Sequence, residues 1–172
     1  MSEREIVIYG DPVLQKKSEP ITMIRSDVIR LAEDMQATMY ANRGVGLAAP
    51  QVGALVRVIV LDASAGRDPK QRLVLLNPEL KEMTSEDFAE EGCLSIPEFV
   101  TRVPRATSVT VIGQNLSGKS VEVRAEGLAA RAIQHEIDHL NGRLIVDFLN
   151  PLQRDLFERR FRQQQLKQKV FF

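Results

Sequence analysis

The chain has 172 residues, of which 44% are hydrophobic and 27% charged, and its formal net charge is zero, as is typical of a soluble globular protein. This length can bury a core large enough for one domain, so we expect a single domain over residues 1–172. One cysteine, Cys93, excludes an internal disulfide, and neither an N-terminal leader nor an apolar run of about 20 residues is present, which predicts a cytoplasmic protein with no membrane association.

The charge is unevenly distributed along the chain. Residues 150–172 contain six lysines or arginines and two acids, a net charge of +4 that leaves −4 on the rest of the neutral chain. Two interpretations have equal weight: a basic helix face in solvent, or a surface that docks on nucleic acid or an anionic partner. We expect no sequence-specific binding of nucleic acid.

The first elements are predicted from the spacing of apolar residues. Residues between Val28 and Met39 recur at helical intervals, with Ser26 or Asp27 as the N-cap and Gly44 just past the end. Two apolar, partly β-branched runs follow, and they predict strands at 56–61 and 73–76.

Later residues predict a hairpin and two further helices. Valines alternate on either side of the turn-like residues 115–118, and an apolar helical face then runs from Leu128 to Leu140 before Asn141-Gly142. Asn150-Pro151 fits the start of a basic C-terminal helix over about 150–172. Its predicted apolar side consists of Leu152, Leu156, Phe157 and Phe161. Strands between an early helix and two late ones, without βαβ alternation, favour the α+β class.

The helix that ends at Leu140 contains the two histidines of the chain, His135 and His139. They are one helical turn apart, so both imidazoles point towards one position in space. Glu136 lies between them and can contact a metal-bound water without binding the metal itself. The spacing therefore indicates hydrolysis by a metal-activated water.

Two imidazoles require a third protein ligand and one open position for catalysis. A thermolysin-like enzyme would use a downstream glutamate, whereas a metzincin would need a histidine where this chain has Ile145. Cys93, preceded by Gly92, is the remaining soft ligand, although a lone cysteine is more often a buried small hydrophobe. Spacing alone leaves the metal open, with zinc as the default for this ligand set.

Three motifs together resemble those of the peptide deformylases, in the order and at the separations found in that family. They are the stretches Gly44-Val45-Gly46-Leu47-Ala48-Ala49-Pro50-Gln51, Glu91-Gly92-Cys93-Leu94-Ser95 and Gln134-His135-Glu136-Ile137-Asp138-His139. The resemblance covers nearly the whole chain. It implies antiparallel β-sheets around a central metal-binding helix, and removal of the formyl group from the N-terminal formylmethionine of nascent polypeptides.

The resemblance also implies roles for particular residues. Cys93, His135 and His139 would bind a divalent metal, ferrous iron in the cell with zinc or nickel in preparations, and metal-bound hydroxide would attack the formyl carbon. Glu136 would be the general acid and base, and Gln51 with the backbone N–H of Leu94 would form the oxyanion hole. The substrate groove and its methionine pocket would be formed by Val45, Gly46, Leu128, Arg131 and Ala132.

Three features leave alternatives open. Arg131 either contributes to the wall of the pocket or turns its guanidinium to solvent and contributes only methylenes. Asp138 either pairs with an arginine such as Arg102 or faces water. The basic tail suggests transient contact with the ribosome, through Arg154, Arg159, Arg160, Arg162, Lys167 and Lys169.

Two other functions compete with the deformylase interpretation. One is a metallopeptidase with the same His-Glu-His chemistry that cleaves internal amide bonds. The other is a non-enzymatic adaptor, in which a closed metal site holds the fold while the tail binds RNA or the ribosome.

Overall fold

The computed structural model describes the backbone of residues 2–169 and the side chains of residues 2–166. Within that range a five-stranded antiparallel sheet, in the order β1-β2-β3-β4-β5, combines with three α-helices, which confirms the predicted α+β class. The elements in chain order are α1 (Ser26–Ala41), β1 (Gly46–Ala48), β2 (Val58–Leu61), β3 (Leu73–Cys93), β4 (Ile96–Gln114), β5 (Ser120–Glu126), α2 (Gly127–Leu140) and α3 (Pro151–Lys169). Short 3₁₀ turns occupy Pro12–Gln15, Ala49–Val52, Pro69–Gln71 and Ile145–Phe148.

Helix α1 forms where the periodicity predicted it. Its apolar stripe, Leu31, Met35 and Met39, is buried against one face of the sheet. The helix begins at Ser26 with Arg25 as its N-cap residue, so neither predicted cap residue occupies that position.

Strand β2 is apolar at every position because it is buried on both faces. Val58 and Val60 pack in the cluster around α1, while Ile59 and Leu61 pack in the cluster around α2. The strand is two residues shorter at its start than predicted, and it pairs with β1 on one side and β3 on the other. Strand β1 is therefore an edge strand of the sheet.

Strand β3 is far longer than predicted. It pairs with β2 only over Leu73–Leu76, but it continues to Cys93 in a long hairpin with β4. Residues 81–88 are exposed, so they show none of the apolar alternation by which a half-buried strand is recognised. The predicted hairpin around residues 115–118 is confirmed as the pair of β4 and β5.

Helix α2 packs against one face of the sheet, in agreement with the central helix that the resemblance implies. Ile133, Ile137 and Leu140 are buried with residues of β2, β3 and β4. The helix ends before Gly142, whose φ is +72° and where a Cβ would lie 2.5 Å from the carbonyl oxygen of Gln15. Glycine is thus required where the end of α2 meets the N-terminal segment.

Helix α3 begins at Pro151 as predicted, and the side chains of Asn150 and Gln153 cap each other's backbone N–H groups. Phe157 and Phe161 each stack edge-on against the Tyr9 ring at a centroid distance of 5.0 Å.

The predicted apolar side of α3 is only half correct. Leu152 and Leu156 are 69% and 52% exposed, because the helix docks through its two phenylalanines. The final residues of the predicted helix, 170–172, lie outside the described range. Within that range no helix is both long enough and apolar enough to cross a membrane.

Replacing Leu140 tests how far the fold depends on the packing of α2. Leu140 has no exposed surface, so we expect Leu140→Ala to lower the free energy of unfolding by about 2–5 kcal/mol. Leu152→Ala, at an exposed leucine, should change it by no more than about 0.5 kcal/mol. Urea unfolding measures both, and equal losses would contradict the burial of α2.

Candidate metal centre

Helix α2 and the turn of the long hairpin bring three potential ligands to one point. The Nε2 atoms of His135 and His139 are 3.2 Å apart, and Cys93 Sγ lies 3.2 Å from His139 Nε2. All three potential ligand atoms lie within 4.8 Å of one another. Ligands on a tetrahedral ion with bonds of 2.0–2.3 Å are about 3.3–3.6 Å apart, so this cluster fits a divalent metal.

Strand pairing and a buried side chain fix the position of the hairpin turn that carries Cys93. Cys93 pairs with Ile96 across the turn, and Ile96 is buried with Val103 and Leu144 in a separate apolar cluster. Cys93 itself is half-buried and lines a cleft that opens beside the histidines. A ligand in this position can be reached from outside.

A buried carboxylate, Glu91, organises the back of the cluster. It accepts hydrogen bonds from Arg105 Nε at 2.9 Å, Arg105 Nη2 at 3.0 Å and Arg131 Nη1 at 2.9 Å, and it lies 3.0 Å from His135 Nδ1. Burial raises the pKa of Glu91, but His135 and Arg105 lower it to about 2. An ionised Glu91 favours the proton on His135 Nδ1, which leaves Nε2 free to bind a metal.

The structure decides the open alternatives for two side chains. Arg131 does not turn to solvent: besides Glu91, its guanidinium donates to the carbonyl oxygens of Val103 and Asp87. Asp138 accepts from Arg105 Nη1 at 2.6 Å, so it pairs with an arginine and does not simply face water, but the suggested partner, Arg102, is wrong. The register of the hairpin carries Arg105, and not Arg102, to the face that meets α2.

Gln51 lies in the 3₁₀ turn after β1, 2% exposed, beside the metal cluster. Its Oε1 accepts from the N–H of Ala48 at 2.8 Å, which fixes the amide with its Nε2 directed at the hairpin turn. Nε2 lies 3.2 Å from Ser95 Oγ and 3.6 Å from Cys93 Sγ. A neutral donor is thus held next to the potential ligands.

Glu136 is buried against β1. A Cβ at residue 46 would overlap the carboxylate, so Gly46 is what allows Glu136 to approach the edge strand. Its Oε2 is buried and has no hydrogen-bond partner among the described residues. Burial raises the pKa of Glu136 to about 7, which makes both protonation states accessible near neutral pH.

A cleft of about 640 Å³ opens over these groups. One wall is the free edge of β1, the opposite wall is the end of the long hairpin, and the floor is α2. The residues predicted to bind substrate all line it, namely Val45, Gly46, Leu128, Arg131 and Ala132, together with Gln51, Cys93, Leu94, His135 and Glu136.

Reasoning from the sequence missed three residues that support this site. Glu91 and Ser95 belong to the same short motif as Cys93, and that proximity was the available signal. Arg105 carried no local signal, because its contacts with Glu91 and Asp138 span 14 and 33 residues.

Comparisons with known proteins agree over nearly the whole chain. The polypeptide deformylase family model matches residues 3–155. The peptide deformylase of Thermodesulfovibrio yellowstonii is 48% identical over 162 residues, covering 94% of this chain and 98% of that protein. That of Acidobacterium capsulatum is 46% identical over 165 residues, covering 96% of this chain and 97% of that protein. A crystal structure of a peptide deformylase from Legionella pneumophila matches with a TM-score of 0.89 at 42% identity, covering 96% of this chain and 98% of that one.

Substitution of Glu91 tests the buried charge network. Glu91→Gln leaves Arg105 without its full countercharge, so we expect a loss of about 3–5 kcal/mol in unfolding free energy at neutral pH. Glu90→Gln, at the exposed neighbour on the same strand, should change it by no more than about 0.5 kcal/mol.

The stability difference between wild type and Glu91→Gln should also depend on pH. The pKa of Glu91 falls from 4.5 to about 2 on folding, so its contribution is complete above pH 4.5 and is lost as pH falls towards 2. Urea titrations of the metal-free proteins should therefore show the stabilities of wild type and Glu91→Gln converging on acidification. A constant difference between them would contradict an ionised Glu91.

Proposed function

The chain belongs to the polypeptide deformylase family, and from this membership we propose that it removes the formyl group from the N-terminal formylmethionine of nascent polypeptides. The observation that carries the proposal is the cluster of Cys93, His135 and His139 next to the cleft, beside a carboxylate oxygen of Glu136 that has no hydrogen-bond partner among the described residues. This arrangement suits hydrolysis of an amide whose small acyl group must reach the bottom of the cleft.

Cys93, His135 and His139 are the residues that would hold the metal. When bound there, a divalent ion acts as a Lewis acid and makes water nucleophilic near neutral pH. From the family membership we propose ferrous iron in the cell and zinc or nickel in preparations. The mixed nitrogen and sulfur ligand set is compatible with all three ions and does not by itself choose between them. Glu91 orients His135 through Nδ1 and so supports the ligand from behind.

Glu136 moves the proton in this proposal. Its carboxylate takes a proton from the attacking water and delivers it to the nitrogen of the departing amine. The pKa of about 7 supports both halves of this role, because the group can accept and release a proton in the same pH range. Its position against Gly46 keeps it at the end of β1, where the reacting bond would lie.

Two donors would meet the negative charge that develops on the formyl oxygen. One is Gln51 Nε2, oriented by the bond between its Oε1 and Ala48. The other is the backbone N–H of Leu94, in the turn next to Cys93. Neither donor changes its protonation state, and loss of one such donor typically costs about 10²–10³ in rate.

The peptide would bind as an added strand along the free edge of β1, with Val45 and Gly46 supplying main-chain partners. The methionine side chain would enter the apolar part of the cleft beside Leu128 and Ala132. Arg131 contributes methylenes to this wall, because its guanidinium is held by Glu91 and two carbonyl oxygens.

Glu136→Gln tests the enzyme assignment directly. Because Glu136 is not a metal ligand in this proposal, the variant should retain its metal while deformylation of a formyl-methionyl peptide falls by about 10²–10⁴. Metal analysis of anaerobically purified protein is read beside a formyl-peptide assay and a casein-digest assay.

Each competing function gives a different result in those assays. A metallopeptidase would degrade casein and leave the formyl peptide intact. An adaptor would retain both its metal and its binding function in the Glu136→Gln variant. Loss of the metal in this variant would remove Glu136 from the role proposed here.

The proposed thiolate ligand predicts sensitivity to oxygen that depends on the metal. A thiolate beside redox-active iron oxidises readily, and Cys93 lines an open cleft. We expect the iron form to lose deformylase activity in air faster than the nickel or zinc form. Half-lives measured side by side under oxygen and under nitrogen provide the test, and equal half-lives in air would contradict the proposal.

Ribosome contact through α3 remains a prediction. Three of its arginines are engaged within the chain: Arg154 pairs with Asp147 and Glu158, Arg159 with Asp155, and Arg162 with Glu158. The side chains of Lys167 and Lys169 lie outside the described residues. The pairing reduces the charge available to an anionic partner, which supports the interpretation as a solvated helix face.

A further inference from the structure

The outer part of the cleft carries an exposed arginine. Among the described residues that line the cleft, Arg43 and Arg131 are the two arginines, and no lysine joins them. Arg131 is held by Glu91 and by two backbone carbonyls. Arg43 is exposed and forms no ion pair within the described part of the chain. Its charge is therefore available to a molecule that occupies the cleft.

The backbone at Arg43 is held in place by the end of α1. Its N–H donates to the carbonyl of Tyr40 at 3.0 Å, and the N–H of Gly44 donates to the carbonyl of Met39 at 2.9 Å. Arg43 has a φ of +55°, a left-handed conformation that favours glycine at the end of a helix. The Cα of Arg43 is thereby held in the turn between α1 and β1, at the edge of the cleft.

The location of Arg43 can be related to the residues of a bound peptide. Gly46 touches Glu136 at the reacting end of the cleft, and Arg43 is three residues away along the same wall. Residues 42 and 43 form a turn and residue 45 a bend before β1 begins at Gly46, so the Cα atoms of Arg43 and Gly46 are closer than about 10 Å, the distance that three extended residues would span. A peptide paired with β1, with its formyl group beside Glu136, would extend past this turn and place its third residue within reach of the long Arg43 side chain.

We propose that Arg43 makes this enzyme prefer nascent peptides with an acidic third residue, counting formylmethionine as the first. This inference rests on the proposed deformylase function and adds a specificity residue to it. The opposite wall carries two exposed carboxylates, Glu90 and Glu98, and Glu98 accepts a hydrogen bond from Gln164 Nε2 at 3.2 Å. Because both of these groups repel an acidic peptide, the preference depends on the charge of Arg43.

The test compares formyl-Met-Ala-Asp-Ala-amide with its neutral isostere formyl-Met-Ala-Asn-Ala-amide. The C-terminal amide removes the terminal carboxylate, so the two peptides differ by one charge. We expect kcat/KM for the aspartate peptide to exceed that for the asparagine peptide by about two- to fivefold, the range for an exposed ion pair. At a salt concentration of about 1 M the ratio should approach one, because exposed charges are then screened.

Variants distinguish the effect of Arg43 from that of the other charges of the protein. Arg43→Gln should bring the ratio to one or below, because Glu90 and Glu98 then act alone, and Arg43→Glu should lower it further. Arg43→Lys should retain a preference. Arg30→Gln, at an exposed arginine of α1 that does not line the cleft, is the matched control and should behave as wild type. Moving aspartate to the fourth residue should weaken the effect.

The possible failures are distinguishable. Deformylation of both peptides with a ratio of one or less in the wild type, or an unchanged ratio in Arg43→Gln, would overturn the role of Arg43 and leave the deformylase assignment intact. Failure to deformylate either peptide with the metal-loaded protein would overturn the proposed function and this inference together.

Discussion

The carboxylate of Glu91 is the interaction on which the centre depends. It joins three parts of the fold: β3, to which it belongs, β4 through Arg105, and α2 through Arg131 and His135. Removing it would leave buried guanidinium groups without full compensation, which costs more than the loss of an exposed ion pair. The same contact favours the proton on Nδ1 of His135. Stability of the hairpin and orientation of a potential ligand therefore have one physical origin.

The cleft lies between an edge strand of the sheet and the turn of the long hairpin. Strand β1 is short and lies at the edge of the sheet, while the long hairpin of β3 and β4 turns back at residues 94–95. Between them lies the N-terminal half of α2, and Gly46 leaves room for the carboxylate of Glu136. An edge with free main-chain groups next to a row of reactive side chains is suited to a peptide substrate.

The walls of the cleft rest on different supports. The wall at β1 is anchored by the end of α1, whereas Phe99 on the opposite wall packs against Phe157 of α3 with ring centroids 4.5 Å apart. Helix α3 thus reaches this wall through the Phe99–Phe157 contact and the hydrogen bond from Gln164 to Glu98. Its polar groups are largely directed elsewhere, into ion pairs along its own length and with Asp147.

Local patterns in the sequence determined the helices, the β4–β5 hairpin and the set of metal-binding candidates. Periodicity and capping act over a few residues, so α1, the histidine pair of α2 and the Asn150-Pro151 start of α3 could all be predicted. Only the tertiary structure decided the length of β3, the partner of Asp138 and the position of Arg131. Residues 81–88 carry no apolar pattern because they are exposed, and the contacts of Arg105 depend on strand register and helix placement over distances of up to 33 residues.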